Sequence, residues 1–184
     1  MREALTKTHT SAVAIIPPIE QWEPIQAIRE VHDKQIRRWM PHINVLYPFV
    51  EHDRIDEVEP FIRAACARIE PFEISLTGFE TFHHGRGRYT IWLMPEPDEP
   101  LQQLARELER ELPDLAHQFQ YESGFTPHLS VGRLDGYAAV KEFLAKHRPR
   151  WRPITWRLDE LLVITRDAPP DDIFRFERPI ALGS

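Results

Sequence analysis

The chain has 184 residues, 42% of them hydrophobic and 28% charged, enough for one compact core and short for two full domains. Its formal net charge of −6 has the wrong sign for a surface that wraps long nucleic acid, so a nucleic-acid substrate is expected to be short or met at its end. One cysteine, Cys66, excludes an internal disulfide and a CxxC metal knuckle. No apolar run reaches the roughly 18 residues of a membrane span, and Met1 to Lys7 lack an apolar signal core, so a cytoplasmic, monomeric single domain over residues 1–184 is expected, with no membrane contact.

In chain order, Ser11 to Ile16 is an apolar run closed by Pro17-Pro18 and predicts a buried strand. Ile19 to Arg38 has helical composition, with Ile25, Ile28 and Ile36 available for one face. A strand is expected at Ile43 to Val50. From Ile55, the apolar residues Val58, Ile62, Ala65 and Ile69 recur at helical steps, with Cys66 beside them as a small core residue. Phe72 to Phe82 and Arg88 to Met94 read as a hairpin through His83-His84-Gly85-Arg86-Gly87. Leu101, Leu104, Ala105, Leu108 and Leu112 form a clean helical stripe, with Asp98 placed to cap it and Pro113 to stop it. A strand at Pro127 to Val131, a helix near Ala138 to Lys146, and strands near Trp156 to Thr165 and Ile173 to Arg178 complete the chain. Strands and helices mix without regular alternation, which predicts an α+β fold with mainly antiparallel sheet.

One short pattern occurs twice, as Pro41-His42-Ile43-Asn44-Val45 and as Pro127-His128-Leu129-Ser130-Val131. Each copy closes a strand, helix, strand run, which predicts two pseudo-symmetric lobes that bring the two strands together. Residues i and i+2 of a strand share a side. His42 and Asn44 therefore face one way, as do His128 and Ser130, with roughly 6.6 Å between the members of each pair. A histidine and a small hydrogen-bond donor make half of an anion pocket, and two facing halves complete it.

Imidazole titrates near pH 6.5, so one ring of such a pair is expected protonated and the other neutral. Phosphodiester cleavage uses that combination: a base takes a proton from the attacking oxygen, and an acid gives one to the leaving oxygen. Asn44 and Ser130 would donate to the nonbridging phosphate oxygens. The scheme requires neither metal nor cofactor.

These motifs, their separation and the flanking segments Pro127-His128-Leu129-Ser130-Val131-Gly132-Arg133 and Arg88-Tyr89-Thr90-Ile91-Trp92-Leu93 resemble the 2H phosphoesterase superfamily, whose members include bacterial RNA 2′,3′-cyclic phosphodiesterases, also called 2′-5′ RNA ligases. The resemblance runs from Ser11 to about Ile164. It implies a bilobed α+β fold with helices outside and the two histidine motifs facing across a central cleft. It also implies metal-free opening of 2′,3′-cyclic phosphate ends of RNA or small nucleotides, or cleavage or joining of 2′-5′ bonds. His42, Asn44, His128 and Ser130 fall on the four motif positions, and Arg133 falls where relatives carry a phosphate-contacting arginine. Two departures stand out: Asn44 replaces the usual Thr or Ser, and the first motif continues Val45-Leu46-Tyr47-Pro48-Phe49 without the basic residue of many RNA-processing relatives. By strict alternation Arg133 points away from His128 unless the strand ends or bulges at Gly132.

Tyr47, Phe82 and Tyr89 could stack a base, against the plainer role of core aromatics. His83 and His84 could line the cleft mouth or bind a metal, against the plainer reading of a solvated hairpin tip. The stretch from His147 to Arg152, with Trp156 and Arg157, interleaves basic and aromatic residues; single-strand tracking and a basic loop with buried tryptophans weigh about equally. The alternatives to a phosphodiesterase are a non-catalytic module binding RNA ends or nucleotides with the same pocket, and a histidine-rich metal hydrolase.

Overall fold

In a computed structural model of the protein, residues 5–116 and 124–183 are described; Met1 to Ala4, part of the stretch read for targeting, lie outside them. Over the described residues the chain forms an α+β fold of two four-stranded antiparallel sheets, a two-stranded ribbon and four helices.

The first sheet has the order β10-β9-β2-β3: β2 (Ser11–Ile15) is its inner strand, flanked by β9 (Glu160–Thr165) and β3 (Ile43–Leu46), with β10 (Arg175–Ala181) outside. Every residue of β2 is buried, because both of its faces are covered. Val13 and Ile15 enter the main core, while Ala12 and Ala14 face a smaller cluster with Ile164 and Phe174, against which Trp39 and Met40 pack. Two alanines in a central strand leave room for that indole.

The second sheet has the order β7-β6-β5-β8. β5 (Phe72–His83) and β6 (Arg88–Glu96) form the anticipated hairpin, extended by β7 (Leu129–Asp135) and β8 (Ile154–Leu158). Gly85, Arg86 and Gly87 all take positive φ at its tip, the conformation that the two glycines make cheap. Each motif strand is a sheet edge, and β3 and β7 touch there. The strand, helix, strand repeat anticipated from the motifs is present as β2, α1 (Glu23–His32), β3 and as β6, α3 (Asp98–Glu111), β7.

The differences from the sequence reading have local causes. Helix α1 ends at His32, short of Arg38, because Asp33 adopts an extended backbone and its carboxylate accepts the Arg29 Nε–H at 2.8 Å. Pro48, which has no N–H to pair, separates β3 from the short β4 (Phe49–Val50); β4 pairs instead with β1 (Lys7–Thr8). The stretch expected as one strand from Trp156 to Thr165 is two, and Asp159 passes the chain from one sheet to the other. Asp98 lies in the first turn of α3 and makes no side-chain cap; Pro97 precedes the helix.

α2 (Ile55–Cys66) packs against α3, and α4 (Tyr137–His147) against β6 and β7. Cys66 is fully buried, and burial pushes its thiol up to about 12, so it is an inert core residue as expected. Helix α1, which belongs by sequence to the first half, lies against β7 of the second. Its Ile25 and Ile28 are buried in the main core, worth about 1.5–3 kcal/mol each in burial. The contact is close: a Cβ on Gly132 would lie 2.4 Å from the Cβ of His32 and 2.9 Å from its carbonyl oxygen. Among the described residues, no helix is long and apolar enough to cross a membrane.

Candidate active site

The two motif histidines precede β3 and β7 by one residue each, and the meeting of those edges brings both rings to a single cavity of about 300 Å³. Each ring is held alike. The His42 Nδ1–H donates to the Met40 carbonyl and the His128 Nδ1–H to the Thr126 carbonyl, both at 2.8 Å and both to the residue two positions back. A carbonyl can only accept, so Nδ1 carries the proton and Nε2 is left as the nitrogen available to the cavity. Aromatic rings fix the planes: His42 stacks on Trp39 at 4.2 Å between centroids, and Phe82 meets His128 edge-on at 4.9 Å.

The ladders reveal a second symmetry. In the β2–β3 pair, Ala14 opposes Asn44 and Val13 opposes Leu46, which leaves Val45 as an extra residue. In the β6–β7 pair, Trp92 opposes Ser130 and Ile91 opposes Gly132, which leaves Val131 extra. Both motifs thus carry a bulge at the third position after the histidine. The bulge resets the alternation, so that Arg133 lines the cavity together with Ser130. The kink anticipated at Gly132 sits one residue earlier, and Gly132 serves the close passage of α1. Tyr47 occupies in the first motif the position that Arg133 holds in the second.

His42, His128, Ser130 and Arg133 therefore share the cavity wall, while Asn44 and Tyr47 are not among its lining residues. Asn44 is half-buried, with its Oδ1 buried and without a hydrogen-bond partner. Tyr47 lies at the rim, edge-on to Trp39 at 5.2 Å and to His9 at 5.3 Å. The motif reading did not find Arg29, Asp33, Trp39 and Thr90, which also line the cavity. Arg29 is 1% exposed and engages each of its three guanidinium nitrogens once: Nε donates to Asp33, Nη1 to the Gln26 amide oxygen and Nη2 to the Trp39 carbonyl, each at 2.8 Å. It had a signal in the sequence, since it follows Ile25 by four residues and so puts a charge on the buried stripe of α1. Phe174 stacks on the other face of Trp39 at 3.8 Å.

Burial lowers the affinity of both rings for a proton. His42 is lowered to about 4, first by desolvation and further by the charges of Arg29 and His128, against the pull of the Met40 carbonyl and Asp33. His128 is lowered by desolvation, opposed by the Thr126 carbonyl. Both shifts favour the neutral ring, where the sequence reading expected one ring to be charged.

His84 borders the cavity, with its Nε2 2.8 Å from the Thr90 hydroxyl, rather than standing free at a hairpin tip. His83 stacks on Tyr89 at 4.6 Å. The tryptophans of the basic-aromatic stretch are structural: Trp156 is buried and the Trp151 indole N–H donates to the Leu76 carbonyl at 3.0 Å. Among the described residues, no group of three His, Cys, Asp or Glu side chains is placed to hold a metal ion.

Residues 17–170 match the family model described as the 2′-5′ RNA ligase superfamily. The RNA 2′,3′-cyclic phosphodiesterase of Methanothermobacter thermautotrophicus is 33% identical over 87 residues, 47% of this chain and 46% of that protein. The enzyme of the same name from Thermotoga maritima is 28% identical over 88 residues, 48% of this chain and 46% of that one. The matched segment thus spans about half the length of these curated relatives. Among solved structures, TT0787 of Thermus thermophilus superposes with a TM-score of 0.58 at 17% identity, over 95% of this chain and 98% of that one. Escherichia coli LigT complexed with 3′-AMP gives 0.56 at 20% identity, over 97% and 100%. At such identities the likeness concerns the fold.

Proposed function

Because this chain belongs to the 2′-5′ RNA ligase superfamily, the 2H phosphoesterases that its repeated motif resembles, we propose that it is a phosphodiesterase that opens 2′,3′-cyclic phosphate ends of RNA or of small nucleotides. The observation that carries this reading is the matched anchoring of His42 and His128, each Nδ1–H on a carbonyl and each Nε2 left for the same cavity. The whole chain acts as one domain and as a monomer, and the same site joins 2′-5′ ends when a 5′-hydroxyl attacks the cyclic phosphate in place of water, the bond from phosphorus to the 3′ oxygen breaking.

His42 is the base and His128 the acid, because the Arg29 charge beside His42 disfavours its cation. In the step, the His42 Nε2 takes a proton from water as the water oxygen bonds to phosphorus. The bond from phosphorus to one ribose oxygen breaks, and the protonated His128 Nε2 gives that oxygen its proton. Solvent then exchanges the two ring protons back. Ser130 and Arg133 donate to the nonbridging oxygens as negative charge grows there, and Arg29 adds a fixed positive field. Asn44 and Tyr47, which do not line the cavity itself, meet the substrate only where it extends beyond that wall, Asn44 through its Nδ2–H₂ and Tyr47 against the ribose or base.

The pH dependence follows from the sign of the shifts. A base works above its pKa and an acid below. With His42 at about 4 and His128 below the ordinary 6.5, kcat/KM peaks on the acid side of neutrality and falls as pH rises through 7. Bound phosphodiester, being anionic, raises both values, so the kcat profile lies to the alkaline side of the kcat/KM profile. The direct test is product analysis on cyclic mononucleotides, cyclic-ended oligonucleotides, 2′-5′ oligoadenylates and ADP-ribose cyclic phosphate, each with and without chelator. Turnover of the cyclic substrates that chelator leaves unchanged is expected. Tight binding without turnover, or activity lost to chelator, rejects the reading in favour of a binding module or a metal hydrolase.

A further inference from the structure

The cleft-facing side of the second sheet continues past the reacting cavity into a separate hollow of about 280 Å³, lined by His84, Arg88, Tyr89, Arg133, Leu134 and Asp135. His84 and Arg133 border both spaces, whereas Arg88 borders the hollow alone. Three pairs along the ladder mark the path: Trp92 with Ser130, Thr90 with Arg133, then Arg88 with Asp135. At roughly 6.7 Å for every two residues, Arg88 lies about 13 Å along the strand from the Ser130 end. A guanidinium reaching back from there meets a group one nucleotide away from a phosphorus held by the histidines.

The charge state of the hollow points to its ligand. Among the described residues, neither the Arg88 nor the Arg133 guanidinium has a hydrogen bond or ion pair. Arg37, Arg38, Arg68 and Arg175, by contrast, are each tied to carboxylates. Asp135 is the one carboxylate among the described residues of the hollow and makes no ion pair with Arg88, whose guanidinium is left open, while Arg133 is shared with the reacting cavity. The walls are held in place: His83 stacks on Tyr89, and the Gly136 N–H donates to the Gly87 carbonyl at 2.7 Å, which ties the hairpin tip to the start of α4. With Arg133 turned to the reacting phosphate, the unengaged guanidinium fork of Arg88 beside it suits a second phosphate.

We propose that this hollow is an extension subsite for a second phosphate on the far side of the nucleoside whose cyclic phosphate is opened, and that the protein thereby prefers oligonucleotide ends to cyclic mononucleotides. The proposal rests on the phosphodiesterase reading above. A phosphodiester linking an upstream nucleotide and a 5′-phosphomonoester share the needed chemistry, so the test separates them. It compares kcat/KM for a nucleoside 2′,3′-cyclic phosphate, its 5′-phosphorylated form and a cyclic-ended dinucleotide. Binding of a nucleoside 3′-monophosphate and a 3′,5′-bisphosphate is titrated in parallel.

The two-phosphate ligands are expected to be favoured by about tenfold or more, the worth of one charge-assisted hydrogen bond. The advantage shrinks as salt rises and collapses in Arg88→Gln. Equal values for all ligands, or an advantage that survives Arg88→Gln, overturns the subsite while leaving the phosphodiesterase reading intact. A gain for the 5′-phosphorylated mononucleotide alone overturns the preference for oligonucleotides. If none of the substrates turns over, the phosphodiesterase reading fails by itself, and the titrations still decide whether the hollow holds the second phosphate.

Discussion

Replacing either His42 or His128 by alanine is expected to lower kcat on a nucleoside 2′,3′-cyclic phosphate by about 10²- to 10⁴-fold, the range that general acid or base catalysis supplies. The two losses should not add. Once one proton transfer is gone the other has little to act on, so His42→Ala/His128→Ala should fall close to the worse single variant. Residual turnover then reflects positioning by Ser130 and Arg133 and the Arg29 field. The folded structure is expected to survive both changes, because each ring is held by one backbone carbonyl and by neighbouring aromatic rings at a sheet edge and belongs to neither core cluster; melting curves check this. His42→Ala also takes one face from the Trp39 stack, so a slightly larger stability loss is expected there than for His128→Ala. A loss of less than tenfold in either well-folded variant would remove that ring from the chemistry.

The second large effect belongs to a residue with no side chain. Gly132→Ala puts a methyl group where His32 Cβ lies 2.4 Å away and the His32 carbonyl oxygen 2.9 Å away. Part of that obstacle is the backbone of α1, which cannot rotate aside, so helix and strand must separate. Overpacking of this kind costs about 1–3 kcal/mol, which corresponds to roughly 2–4 °C of Tm per kcal/mol for a chain of this size. Activity should fall as well, because α1 carries Arg29 and Asp33 into the cavity wall and Arg29 holds the carbonyl of Trp39, on which His42 stacks. Gly78→Ala is the matching control: it lies in β5, has no atom within 4 Å of a new Cβ and does not need positive φ, so it should leave both readouts nearly unchanged. Equal melting temperatures for the two variants would show that α1 yields freely, against the packing described above.

The chemistry-bearing positions were legible in the sequence because they repeat. His42 and His128 sit in matched surroundings, and the period of a strand tells which neighbour shares a side with each: Ser130 lines the cavity beside His128, whereas Asn44, expected by the same rule, does not line it. The fold class followed from element composition, and β5, β6, α2 and α3 were close to their expected extents because each is specified by its own apolar period and its own turn residues. The two bulges were not legible. An extra residue at Val45 or Val131 has no sequence mark of its own; it exists only in the mismatch with β2 or β6, and the one at Val131 turns Arg133 toward the cavity. Arg29 was missed because a charge on an apolar stripe is tolerable only when partners satisfy it, and one of those partners, the Trp39 carbonyl, lies beyond the end of the helix.

From its sequence alone, this protein is a small acidic α+β chain with two histidine motifs on strands, related to known phosphoesterases. Tertiary structure decided the rest: that burial lowers the affinity of both rings for a proton, that α1 crosses to the other half to supply a buried arginine, and that the stretch from Trp156 to Thr165 serves two sheets. The division has one physical reason. Periodicity and turn chemistry act between residues a few positions apart, whereas desolvation, ladder register and the approach of a helix to a glycine depend on segments far apart in the chain.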